Sequence, residues 1–450
     1  MILKELQPTP ENLYETFIKD SIGRDESVVL FVEYINRIDS SFSLAVDSSW
    51  GGGKTFFVKQ AKMVLDAFNP HIENPLPKDK NETIKTVARR FAHNKDEDMG
   101  IEPQVSVYYD AWENDSDPDP VLSLVYEIIR SINVDYSFKD NLNIFKLSTQ
   151  IVDFLTGKNT SEILDKLRGD NPLDVITQQK NLHDLISSFL SEVLKERGNR
   201  LVLFIDELDR CKPSYAIQLL EKIKHYFAND QITFVFSVNS LALQHTICSF
   251  YGEKYDSVRY LDRFFDLTMA LPPVNVDRFY TFYGIHEGNT LLDSVRFYLV
   301  KYYHLSMREI LRYYRVTAIA ANNAERQDRG LSLSLTLILP VAVVLRLTNF
   351  DDYLNFIQGR NGTPFFQMMD ANDYFYAFGG LIEVNSDATS KNQKEFFQET
   401  AREIYSALLT EKYDSYNFIH KIGYLSFTED TRMRFLSLLG ILSRTADYDQ

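Results

Sequence analysis

No stretch constrains this chain more than Ser43-Leu44-Ala45-Val46-Asp47-Ser48-Ser49-Trp50-Gly51-Gly52-Gly53-Lys54-Thr55-Phe56-Phe57-Val58, a short apolar strand, a glycine-rich turn, and Lys-Thr opening a helix. Backbone N–H groups of such a loop and of the helix start converge on anionic oxygens, and glycine lets the backbone approach them closely. The arrangement suits a triphosphate, with Lys54 reaching the β- and γ-phosphates and the Thr55 hydroxyl holding Mg²⁺. Against the pattern G-x-x-x-x-G-K-[ST], the first glycine falls on Ser48, so a residue with a Cβ makes the turn out of the strand. The plainer reading is a glycine-rich surface turn that precedes Lys-Thr by accident, and a second, independent motif weighs against it.

That motif is Leu201-Val202-Leu203-Phe204-Ile205-Asp206-Glu207-Leu208-Asp209-Arg210. A continuous apolar run ending in carboxylates reads as a strand buried on both faces, with acids at its carboxyl edge, where ligands bind in open α/β sheets. Asp206 is placed to hold the Mg²⁺ shell, directly or through water, and Glu207 to orient or activate an attacking water. The competing reading is a core strand that ends in a solvated turn. Ile232 to Val238 is another such strand, and Asn239 at its end is either a sensor of the γ-phosphate or a plain cap. Ser21-Ile22-Gly23-Arg24-Asp25, between two helical patterns within 11–38, is a turn placed to cover a nucleotide base, or a plain helix–helix turn.

Strand patterns alternate with helical ones as far as Pro272-Pro273, which predicts a parallel sheet with right-handed crossovers. Helices are expected over Thr55 to Phe68, Val121 to Ile132 and Ser214 to Phe227, with a polar loop and a solvated helix across Asn69 to Met99. The fold class is therefore α/β, a three-layer P-loop NTPase over 1–275 with a largely helical insert at about 115–195, followed by an all-helical C-terminal domain over 276–450. There, Ser306 and Glu309 form a capping box ahead of a helix. The apolar run Leu331 to Leu347 is short for a membrane span and contains Pro340 and Arg346, so a buried helix pair or strand-like core segment is expected instead. A formal charge of −15 argues against a broad nucleic-acid or anionic-membrane surface. Two cysteines, Cys211 and Cys248, in no metal-binding spacing, fit a reducing cytosol, and Met1 to Thr16 has no signal-peptide pattern, so the expected location is cytoplasmic.

Taken in order, these pieces resemble the KAP family of P-loop NTPases, related to AAA+ and STAND proteins. Ser49-Trp50-Gly51-Gly52-Gly53-Lys54-Thr55 is similar to that family's tryptophan-bearing loop, and Tyr108-Tyr109-Asp110-Ala111-Trp112-Glu113 to its strand with a polar-x-Trp turn. Ile205 to Arg210 resembles its Walker B run, Leu261 to Pro273 its closing strand, and Ser306 to Arg312 the arginine-bearing start of a helix. The likeness covers about 20–320; Ser48, Glu207 and Asp110 depart from the family's more usual Gly, Asp and Asn. No apolar run of spanning length lies in 66–195, where many relatives carry transmembrane helices, so a soluble member is expected. The resemblance implies that Arg308 senses the γ-phosphate and that Arg263 is offered to a neighbouring subunit, with surface ion pairs as the plainer alternative for both. It also implies links to anti-phage defence and to membrane-associated signalling assemblies.

The expected function is a Mg²⁺-dependent ATPase, less readily a GTPase. Trp50, Gly51, Gly52, Gly53, Lys54, Thr55, Phe56, Gly23 and Arg24 would bind nucleotide, Thr55 and Asp206 the metal, and Lys54, Glu207, Asn239 and Arg308 would carry the chemistry. Its output would be domain movement or assembly, as a homo-oligomer or with a protein partner on the C-terminal helices. The alternative is an ATP-binding switch or scaffold with little turnover; a small-molecule kinase is a weaker option, since no short arginine-rich lid follows the sheet.

Overall fold

The computed structural model describes residues 6–72, 77–91, 100–136, 144, 146–151, 172–227, 229–285, 290–322, 328–371, 390–410, 419–422 and 425–443. Expectations for the remainder, including the middle of the helical insert, lie outside the described residues. Contacts divide the chain into one unit over Leu6–Phe279 and another over Tyr280–Gln450.

The first unit is built on five strands, β1 (Phe42–Asp47), β2 (Gln104–Asp110), β3 (Arg200–Asp206), β4 (Ile232–Val238) and β5 (Leu267–Ala270), in the order β2-β3-β4-β1-β5. Every neighbouring pair is parallel. Side chains alternate across a strand, so a run apolar at every position feeds two cores. In β3, Leu201, Leu203 and Ile205 join Phe234, Phe236 and the helices on one face, while Val202 and Phe204 join Leu44, Val46 and Phe57 on the other. The second core takes its cover from α1 (Pro10–Ile18), α2 (Asp25–Asn36), α3 (Lys54–Phe68) and α4 (Lys78–Phe91). The first takes it from α5 (Pro120–Tyr136) and from helices Pro172–Arg197, Pro213–Tyr226 and Ser240–Tyr251.

One expectation is corrected in α4. The pattern of Asn69 to Met99 predicts a polar loop and a solvated helix, but Ile84, Val87 and Ala88 are buried in the second core. Three apolar residues one turn apart suffice to seat a helix whose other positions are charged.

The second unit is helical, from Leu291–Tyr302 and Met307–Asn322 through Arg329–Thr348, Phe350–Ile357, Thr363–Ala371 and Ser390–Leu409 to Glu429–Ser443. An antiparallel hairpin, β6 (Ile419–Ile422) with β7 (Leu425–Thr428), adds two strands to it. The capping box forms, with Ser306 N–H donating to Glu309 Oε2 at 2.8 Å and Glu309 N–H to Ser306 Oγ at 3.4 Å. Residues 331–347 lie in one continuous helix with Pro340 inside it, rather than in a helix pair or a strand. This is the one described helix long and apolar enough to cross a membrane, and it is largely buried within the chain.

Candidate functional site

Parallel pairing brings the chemistry to one edge. In register, Asp110 lies beside Asp206, Asp206 beside Ser237, and Asp47 beside Val238, so the strands carrying both motifs end together. β4 separates β1 from β3 and places Asn239 between them.

The loop leaves β1 at Ser48, whose N–H donates to Val238 O at 3.2 Å. Gly51 (φ 80°) and Gly53 (φ 88°) adopt left-handed backbone that a side chain would strain, and Gly53 leads directly into α3. Gly52 needs no unusual φ; a Cβ there would overlap the Ser48 hydroxyl. The side chain that departs from the motif at Ser48 thus takes up space that the glycine at 52 leaves. Lys54 is buried and donates to Ser48 O at 2.8 Å and Ser49 O at 3.3 Å. Burial lowers its pKa below the usual range, opposed first by the charge of Asp209, then by Asp206 and Glu207. Those fields join two motifs that stand far apart in the sequence. Thr55 is the second residue of α3, and Phe56 is buried behind it.

Asp206 is fully buried; its Oδ2 accepts from Tyr108 Oη at 2.9 Å and its Oδ1 from Glu207 N at 3.0 Å. Glu207 has φ 60°, left-handed backbone that is costly outside glycine and typical of functional sites. Burial, then Asp206, pushes its carboxyl up to about 7. Its Oε2 pairs with Arg210 Nε at 2.6 Å, and the Arg210 guanidinium lies 5.5 Å from the centroid of the Trp112 ring. Asp209 is buried; its Oδ2 accepts from the indole Nε1 of Trp50 at 2.7 Å, and its Oδ1 has no hydrogen-bond partner.

The turn at Gly23 also reaches the loop. Gly23 has φ 70°, and a Cβ there would lie 2.5 Å from Asn275 Cβ. This close approach lets Arg24, itself buried, donate Nη1 to Gly52 O at 2.8 Å. Asn239 caps helix Ser240–Tyr251, its Oδ1 accepting from Ala242 N at 3.2 Å, so that oxygen is committed to the cap and only its amide N–H groups are left to meet a phosphate. Arg263 is exposed, and Arg308 stands in the second unit, at the start of helix Met307–Asn322.

Among the described residues no group of three or more His, Cys, Asp or Glu side chains could hold a metal alone. Mg²⁺ prefers oxygen donors and shares its shell with phosphate and water, and the Thr55 hydroxyl, the buried Asp206 carboxylate and the unpartnered Asp209 oxygen suit it.

Sequence reasoning assigned nothing to Tyr108, Asp209, Arg210 or Asp47, which accepts from Ser240 N at 2.7 Å. Asp209 and Arg210 stood within the second motif, so their signal was present without a role. Tyr108 stood in the strand ahead of the Asp110–Trp112 turn, also without a role, because its partner lies on the neighbouring strand.

A family model described as KAP family P-loop domain matches residues 25–281. No curated protein matches the chain. Among solved structures, a chain of Drosophila ORC bound to GC-rich DNA and Cdc6 aligns with TM-score 0.31 and 9% identity, covering 89% of this chain and 52% of that one. This chain thus spans about half the length of the Drosophila chain. The Aeropyrum pernix ORC2 protein in ADPNP and ADP complexes aligns with TM-score 0.25 and 11% identity, covering 98% of this chain and 88% of that one.

Proposed function

The chain belongs to the KAP family of P-loop proteins, and from that premise we propose that it is a Mg²⁺-dependent nucleoside triphosphatase acting on ATP. The observation that carries this reading is the convergence of a left-handed glycine turn, a buried lysine and two buried aspartates at one sheet edge. Loop N–H groups and the start of α3 receive the phosphates, and Lys54 exchanges its loop carbonyls for phosphate oxygens. Thr55 and Asp206 would hold the metal, with Tyr108 fixing the orientation of the Asp206 carboxylate. Bound Mg²⁺ would neutralise charge on the β- and γ-oxygens. Glu207, its carboxyl poised by burial, orients the attacking water. Catalysis is then positioning plus charge stabilisation.

Two substitutions separate this from an ATP-binding switch. Lys54→Ala is expected to abolish nucleotide binding in calorimetry. Glu207→Gln is expected to bind nucleotide as tightly as the parent while phosphate release falls by about 100-fold or more. Unchanged phosphate release in Glu207→Gln, with binding lost in Lys54→Ala, would favour the switch. The second unit would then carry the output, to a partner protein or to further copies of the chain.

A further inference from the structure

We propose that Trp50 is a positioning residue that pins the phosphate loop to the acidic turn after β3 by giving its indole N–H to Asp209. The proposal rests on the nucleotide reading of the loop. The chain has two tryptophans, Trp50 and Trp112, and each is 53% exposed. A core packing role would bury the ring, so the apolar surface of Trp50 does not account for its place. Its polar atom does more: Nε1 lies 2.7 Å from Asp209 Oδ2, and Asp209 is only 5% exposed.

The acceptor is short of donors. Asp209 Oδ1 is buried without a hydrogen-bond partner, and among the described residues the indole is the one hydrogen bond given to this carboxylate. Removing the donor from a buried carboxylate costs far more than removing one from a solvated group. A charge-assisted bond from Trp50 is therefore a firm attachment.

The three glycines next to Trp50 make an anchor necessary. Gly51, Gly52 and Gly53 have the largest backbone freedom to lose, and a cradle that must order on each binding event binds weakly. Besides the bonds from Lys54 to Ser48 O and Ser49 O, the glycine stretch has two anchors: Arg24 takes Gly52 O from the side of the Gly23 turn, and Asp209 takes Trp50 from the side of the acidic turn. The second anchor is itself braced, since Arg210 pairs with Glu207 and lies over the Trp112 ring. Asp209 lies two residues beyond Glu207, so the pin also sets the spacing between the phosphate cradle and the acid that would orient water.

The test is a double-mutant cycle in the full chain, reading affinity for a non-hydrolysable ATP analogue with Mg²⁺ by calorimetry. Trp50→Phe keeps the ring and loses the N–H; it is expected to weaken binding by about tenfold. In an Asp209→Ala background the same change is expected to cost less than about twofold, because the bond is already gone. In Asp209→Asn, which keeps an acceptor oxygen, the cost of Trp50→Phe is expected to return. An equal cost in the parent and Asp209→Ala backgrounds, or no cost in the parent, overturns the proposal. A second readout needs no nucleotide: hydrogen exchange of the two indole N–H protons by NMR. The Trp50 proton is expected to exchange more slowly than that of Trp112 and to lose its protection in Asp209→Ala. Equal exchange in the parent overturns the pin, whereas a protected indole in a chain that binds no nucleotide overturns the nucleotide reading instead.

Discussion

In the Leu6–Phe279 unit, five buried charged side chains, Arg24, Asp25, Lys54, Asp206 and Asp209, gather around one loop and the turn that touches it, while Arg200 at the opposite end of β3 and Glu33, paired with Arg37, are buried as well. In the Tyr280–Gln450 unit, the buried hydroxyls of Thr317, Ser334 and Thr400 donate to Tyr313 O, Gly330 O and Phe396 O, one turn back in their own helices, while that of Thr431 donates to Asp328 Oδ2. Among the described residues Arg296 is the buried charge there, and it pairs with Asp293 and lies over the Tyr314 ring. Hydroxyls that bond their own helix are satisfied wherever the helix goes. Charges gathered from several chain segments are satisfied only by one another or by a ligand, so their convergence carries the functional information.

The largest effect is expected where a helix of the second unit lies against backbone. Helix Arg329–Thr348 meets β7 at Gly330, where a Cβ would lie 2.5 Å from Ser426 O. Gly330→Leu forces a side chain against backbone that cannot yield, and a loss of about 3 kcal/mol is expected. Calorimetric melting and hydrogen exchange in that helix would read it. If exchange rises instead in the first unit, the division of roles between the two units fails.

A smaller effect, confined to affinity, is expected in the loop. Gly52→Ala sets a methyl against the Ser48 hydroxyl. That hydroxyl can rotate, so the expected cost is about tenfold in nucleotide affinity with little change in melting. Ser48→Gly in the same chain should restore most of the loss, by placing glycine where the motif usually has it. Failure of this rescue would mean that Gly52 is required by the ligand rather than by its neighbour.

The centre of the sheet was legible because β3 and β4 are runs that both faces bury, and all five observed strands fall on stretches that read as strands. The phosphate loop was legible because glycine, lysine and threonine at fixed spacing form a local pattern. The pin from Trp50 to Asp209 was not, because its partners lie 159 residues apart and no local pattern predicts which residues a fold brings together. Pro340 misdirected the reading of its helix, since proline normally ends one, whereas tertiary burial of Leu337, Ile338, Leu339 and Val341 carries this helix through it. The β6–β7 hairpin was invisible at four residues a strand, too short for alternation to show.

Asp25 gives the sharpest test of whether buried charge beside the loop has a stability cost. It is 2% exposed, its Oδ2 has no hydrogen-bond partner, and burial pushes its carboxyl up to about 8. The groups near it are Arg24, lowered to about 10 by its own burial, and Asp20, which accepts from Asp25 N and pairs with Arg278. The folded chain thus binds the Asp25 proton more tightly than the unfolded chain, whose carboxyl titrates near 4. Its contribution to stability is present below about pH 4 and is lost as pH rises through about 8, so the melting temperature should decline across that window. Asp25→Asn removes the titration and is expected to flatten this part of the profile, with the variant more stable than the parent by a few degrees at pH 8 and nearly equal to it at pH 4. Parallel profiles for the two proteins would mean that Arg24 neutralises Asp25 in the fold. The turn would then hold an ion pair beside the phosphate loop rather than a protonated acid.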